Sequence, residues 1–111
     1  MRNTYANEVR TIAIAGRELA LRYTVNSLCE MEDRAGMPID RLMDRQFSAT
    51  RLLLWAGLRQ EQPELSVRDA GDLIGEYLRA GGALEDIVAL CAEGLRDAAL
   101  LSGADREEGR R

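Results

Sequence analysis

The chain has 111 residues, of which 46% are hydrophobic and 31% charged. That length suits one compact domain, able to bury roughly two-thirds of its unfolded surface without metals or disulfides. It has no histidine and all 15 basic residues are arginine, so the side chains most used for proton transfer and Schiff-base chemistry near neutral pH are missing, and an enzyme is not expected.

The formal net charge of −4 is unevenly spread. Residues 1–23 hold four arginines against two glutamates, whereas residues 24–103 hold eight against fourteen acidic side chains. An acidic body with few aromatics argues against nucleic acid as the main ligand, because phosphate contacts need clustered Lys or Arg.

Residues 1–7 read as a flexible N-terminus. The opening MRNTYANEVR holds no apolar run of signal-peptide type, and no later segment approaches ~18 uninterrupted apolar residues. A soluble, cytoplasmic protein with no membrane contact is expected.

Glu8 to Tyr23, EVRTIAIAGRELALRY, alternates as a β-hairpin does, and Gly16-Arg17 fits a two-residue turn. With that turn Ala15 pairs with Glu18, Ile14 with Leu19 and Ile12 with Leu21. Four large apolar side chains then share one face, opposite Thr11, Ala13, Ala15, Glu18, Ala20 and Arg22. An isolated hairpin is marginal in water, so this face is expected to lie on helices, and the free edges to be managed by another chain or by charge.

Thr24 is the expected N-cap of a first helix with Val25, Leu28, Met31 and Ala35 on one face, ended by Gly36 in the left-handed region and by Pro38. Glu30 and Arg34 are spaced to pair on its solvated side. Glu30, Glu32 and Asp33 have no converging third segment, so a cation site is not expected there and no metal or cofactor is assigned. Pro38 to Arg45 reads as a short helix with Ile39, Leu42 and Met43 inward. Phe47 as a staple and Ser48 as N-cap then open a third helix, ATRLLLWAGLRQ, apolar nearly all round and so the central buried element. Trp55 reads as a core anchor rather than a ligand platform.

Ser66 caps a fourth helix with Asp69 at its third position and Val67, Ala70, Ile74, Tyr77 and Leu78 inward. Ala80-Gly81-Gly82 ends it. A last helix is expected from about Ala83 to Leu101, with Leu84, Ile87, Val88, Cys91, Leu95 and Ala98 on one face. Ala89, Leu90 and Leu101 widen that face, either as a partner or self-association surface or because the helix is clamped on two sides. Cys29 and Cys91 lack a C-x-x-C partner and read as buried free thiols in a reducing compartment. Ala104 to Arg111 reads as a disordered charged tail, which leaves residues 8–103 as one domain of α+β class, mainly α, with an N-terminal β-hairpin followed by four to five short helices. Tyr23, Tyr77 and the carboxylates are the remaining acid–base groups, and no spacing gathers them into a site.

Four motifs in order, the hairpin around Gly16-Arg17, LCEMEDRAG at Leu28 to Gly36, LLWAGLR at Leu53 to Arg59 and LSVRDAGDLI at Leu65 to Ile74, resemble the small tail-assembly proteins of gene transfer agents and long-tailed phages and prophages. The resemblance covers roughly residues 8–100. It implies a non-enzymatic, chaperone-like role: binding the tape-measure protein, the tail tube protein, or both during tail morphogenesis. Two alternatives stand beside it. One is a structural tail subunit retained in the particle as a homo-oligomer through the hairpin edge; the other is a small regulatory protein touching nucleic acid through Arg2, Arg10, Arg17 and Arg22.

Overall fold

Two strands alternate large and small side chains, and their large ones need a cover. In the computed structural model, which describes residues 10–98, β1 (Arg10–Ile14) and β2 (Arg17–Leu21) form an antiparallel hairpin. Ile12, Ile14, Leu19 and Leu21 are all buried, each contributing roughly 1.5–3 kcal/mol. The helices beneath supply what a lone hairpin lacks.

The turn differs from the expected one. Its central residues are Ala15 and Gly16, with φ of 54° and 78°, and Ile12 faces Leu19 while Ile14 faces Arg17. Positive φ at both central positions is the type I′ pattern, whose twist matches the flanking strands. The register is therefore displaced by two residues from the one expected. Because side chains alternate with a period of two, an even displacement leaves the same four residues on the apolar face.

Five helices follow: α1 (Val25–Ala35), α2 (Ile39–Leu42), α3 (Gln46–Leu58), α4 (Val67–Arg79) and α5 (Leu84–Asp97). Thr24 caps α1 in a reciprocal box with Ser27, at 3.2 Å from Ser27 N–H to Thr24 Oγ1 and 3.0 Å from Thr24 N–H to Ser27 Oγ. Gly36, at φ 70°, ends the helix as expected. Ser66 and Asp69 repeat the box on α4, and the Ser66 backbone and hydroxyl bonds hold the Asp69 carboxyl below its ordinary range. On α5, Asp86 accepts from the Ala83 N–H at 3.2 Å. These short-range features follow from sequence spacing alone.

α3 is the central element. Ala49, Thr50 and every residue from Leu52 to Leu58 are buried, and α1, α4, α5 and β2 all pack against it. Trp55 is buried and donates Nε1–H to the Leu65 carbonyl at 3.1 Å, so it anchors the loop into α4. The Arg34 and Arg59 guanidinium carbons sit 5.1 and 5.0 Å from its ring centroid, within cation–π range.

Several expectations are corrected. Val25 is 63% exposed, because the capping box turns the first residue of α1 away from the core. α2 ends at Leu42, leaving Met43 outside it and exposed. α3 begins at Gln46 with Arg45 as its N-cap and no side-chain capping bond, so Ser48 lies within the helix and Phe47 projects from its first turn at 64% exposure. Cys29 is exposed; only Cys91 is buried. Glu30 lies 3.7 Å from Arg59, while Arg34 is over Trp55. That Glu30 oxygen makes an ion pair without a hydrogen bond. On α4, Leu73 joins the buried stripe, and on α5 Ala98 is exposed. α5 ends at Asp97 with Ala98 as its C-cap, short of the expected end near Leu101; the expectations for residues 1–7 and 104–111 lie outside the described residues.

Tyr23, between β2 and α1, ties these layers together. Its hydroxyl donates to the Leu53 carbonyl at 2.5 Å, and its ring lies against Gly57 of α3 and Gly94 of α5. A Cβ on Gly57 would fall 2.7 Å from the ring Cζ and 2.9 Å from Leu21 Cδ2, and one on Gly94 3.1 Å from the ring. The neighbouring Arg22 N–H donates to the Gly57 carbonyl at 2.9 Å. Across the surface, Arg10 pairs with Asp97 at 2.7 Å and Glu93 at 3.2 Å, and Arg22 with Glu61 at 3.1 Å. Exposed pairs of this kind add little stability.

Gly57→Ala is expected to destabilise the fold by about 1–3 kcal/mol through overpacking against Tyr23. Gly75→Ala, whose Cβ meets only the Arg79 guanidinium at 3.4 Å, is expected to raise stability by up to ~1 kcal/mol through helix propensity. Urea midpoints compare the two. Ala15→Asn, which tolerates positive φ better, is expected to raise the midpoint as well, by about 0.5–1 kcal/mol.

Candidate partner-binding surface

α3 is buried from Leu52 to Leu58, while its first turns leave Phe47 and Arg51 exposed at the surface. Between its N-terminal half and the start of α5 lies an open groove of about 280 Å3. Gln46, Ala49, Thr50 and Leu53 form one wall and floor, spaced as a single stripe along α3. Glu85, Val88 and Ala89 form the facing stripe of α5, and Met43 closes one end. Thr50 is buried and donates its hydroxyl to the Gln46 carbonyl at 2.8 Å, so its proton is held within α3. The polar groups lie at the margin, Gln46 on one side and Glu85 on the other.

On the other flank of α3 a second hollow, of about 210 Å3, is lined by Phe47, Ser48, Arg51, Gly71 and Ile74. Arg51 lays its stem over Gly71, where a Cβ would meet Arg51 Cδ at 3.1 Å. Met43 and Phe47, 42% and 64% exposed, thus belong to two adjacent depressions along one helix end. With Val25, they are the large exposed hydrophobic residues among those described.

The three residues singled out on the last helix part company. Ala89 is exposed and lines the groove. Leu90 is half-buried against the core, on a different side of α5. Leu101 lies outside the described residues. Sequence reasoning missed Met43 and Val88, having turned both inward, and Phe47, having read it as a staple. One signal was present: Arg51 is the lone charge inside the run from Ala49 to Leu58 and marks the outward side of α3. Phe47 stands four residues before it, on the same side of α3.

The carboxylates of α1 are engaged separately. Glu30 pairs with Arg59, and Glu32 accepts from the Ile39 N–H at 3.2 Å, capping α2. No group of three or more His, Cys, Asp or Glu side chains placed to hold a metal ion occurs among the described residues. Among the same residues no helix is long and apolar enough to cross a membrane. Of the four basic residues at the N-terminal end, Arg10 and Arg22 are paired with carboxylates of this chain; Arg17 borders the hairpin turn, and Arg2 lies outside the described residues.

A buried titratable pair, Tyr23 and Cys91, lies in the core. Burial pushes the Tyr23 hydroxyl well above its ordinary 10.0, and the adjacent Cys91 adds in the same direction. Burial pushes the Cys91 thiol from 9.0 up to about 11, opposed in part by the Tyr23 hydroxyl. Both groups stay protonated and unreactive at neutral pH, which makes them parts of the core. No family model, curated protein or solved structure matches the chain.

Both groups hold their protons more tightly when folded than when unfolded. Their contribution is complete below the unfolded values of 9.0 and 10.0 and is lost as pH rises toward the folded values. Stability is therefore expected to fall from about pH 9 upward, on the order of 1 kcal/mol per pH unit for each group. In Cys91→Ala the decline should be shallower between pH 9 and 11, and in Tyr23→Phe shallower above pH 10. Thermal unfolding over pH 7–11.5 measures both.

Proposed function

We propose that this chain is a non-enzymatic assembly chaperone whose α3/α5 groove receives an apolar helix of its partner. The observation that carries the reading is the groove itself. Two helical stripes, Gln46/Ala49/Thr50/Leu53 and Glu85/Val88/Ala89, face each other across an unfilled apolar channel with Met43 at its end. Such a channel suits a third helix bringing residues spaced i, i+3, i+4 and i+7. Small residues at Ala49 and Ala89 allow close approach.

The resemblance to small tail-assembly proteins supplies the partner: the tape-measure protein, a long helical chain with apolar stripes, and the tail tube protein that assembles around it. An acidic, soluble carrier with an exposed apolar channel would mask those stripes until the tube forms. A retained structural subunit is the competing reading, and mass spectrometry of purified particles separates the two by copy number.

Co-expression with a tape-measure protein is expected to raise that protein's soluble fraction and give stable co-purification. Ala89→Arg, which fills the channel from an exposed position, should weaken capture about tenfold or more, with the circular dichroism spectrum unchanged. Capture unaffected by Ala89→Arg and by Met43→Ser, both at exposed positions lining the channel, would overturn the groove as the binding site. An unchanged soluble fraction would overturn the chaperone role.

A further inference from the structure

We propose that two copies of this chain pair through the outer edge of β1, continuing the hairpin into a four-stranded antiparallel sheet with a two-fold axis at Ile12. The inference concerns a different surface from the α3/α5 groove and does not depend on it.

The observed register fixes which backbone groups point outward. In a hairpin with a two-residue turn, the pair flanking the turn is hydrogen-bonded, and bonded pairs then alternate along the ribbon. Ile14–Arg17, Ile12–Leu19 and Arg10–Leu21 are therefore the bonded pairs. Thr11 and Ala13 direct their N–H and C=O groups away from β2, while Glu18, Ala20 and Arg22 do so on the opposite edge. The Arg22 N–H donates outward to the Gly57 carbonyl, as this parity requires.

The two edges are treated differently. The β2 edge is closed at Arg22 by the end of α3 and carries the charge of Glu18. The β1 edge presents Thr11 and Ala13, both exposed, and no backbone or side-chain group outside the hairpin bonds to them among the described residues. β1 also lacks the usual guards of an edge strand: it has no proline, no bulge and no charge at its outward positions. Its one charged residue, Arg10, is drawn onto Glu93 and Asp97 of α5.

The occupant is a second copy because this edge is complementary to itself. An axis at Ile12 sets Thr11 of one copy opposite Ala13 of the other, and the reverse, giving two narrow pairs and about four backbone hydrogen bonds. Arg10 then lies opposite Ile14, so like charges do not meet. Ile12 comes beside Ile12 of the second copy on the buried face, which joins the two apolar stripes across the axis. Such a closed, isologous arrangement covers both β1 edges and leaves no end for further addition there.

Sedimentation equilibrium of the full chain across a concentration series is expected to show a species of twice 12.3 kDa. Thr11→Glu combined with Ala13→Glu sets carboxylates opposite each other across the axis and should shift the dissociation constant at least tenfold toward monomer. Thr11→Lys combined with Ala13→Glu sets opposite charges there and should restore the dimer, more weakly at high salt. All four substituted positions in the dimer are solvent-facing, so circular dichroism and urea unfolding should show folded chains in each case. A chain that stays monomeric throughout the series overturns the inference. So does a dimer indifferent to both double variants, or one disrupted equally by both.

Discussion

The fold turns on the packing of Tyr23 between two glycines. A ring that must lie against both α3 and α5 needs a position without a Cβ on each, and Gly57 and Gly94 provide them. Its hydroxyl bonds the Leu53 carbonyl, and one residue earlier the chain bonds Gly57 through its backbone. Thr24, one residue later, starts α1. Hairpin exit, central helix, last helix and first helix are thus referred to one side chain.

That arrangement also shapes the groove. Tyr23 meets the C-terminal halves of α3 and α5, whereas Gln46 to Leu53 and Glu85 to Ala89 are their N-terminal halves. The two helices therefore run side by side in the same direction, with α4 as the return segment. At one end an aromatic ring fills the space between them, and at the other the groove stays open. Core packing and the candidate binding surface are two ends of one helix interface. A loss of contact at the Tyr23 end would change the channel at the other, which is why variants that probe the channel belong at exposed positions.

The hairpin plays two parts that its alternation separates cleanly. One face lies buried on the helices, and the outward backbone groups of Thr11 and Ala13 bond to no group outside the hairpin among the described residues. A short strand with small outward residues is cheap to pair and hard to protect. The charged residues near it are directed elsewhere, Arg10 to α5 and Arg22 to Glu61, so the edge itself stays neutral.

Short-range features were legible in the chain from spacing alone. The apolar face of the hairpin, the Thr24 and Ser66 caps, the Gly36 stop and the buried run of α3 all depend on residues within a few positions of each other, where period and hydrogen-bond reach decide the outcome. The hairpin's fold class was legible for the same reason, and an even register displacement did not disturb its faces. What lay beyond the sequence were the positions set by neighbours distant in the chain. Val25, Met43 and Phe47 are apolar at core-like spacing yet exposed, and each stands at a helix end, Val25 opening α1, Met43 following α2 and Phe47 in the first turn of α3. Cys29 shares an α1 context with Met31, and only the approach of α3 to one side of that helix buries one and leaves the other. The pairing of Glu30 with Arg59, the stacking of Arg34 on Trp55 and the opening of the groove beside Ala89 all require knowing how α1, α3 and α5 meet. Periodicity defines which side of a helix is apolar; only tertiary packing decides how much of that side is covered, because coverage depends on the size and direction of the partner surface.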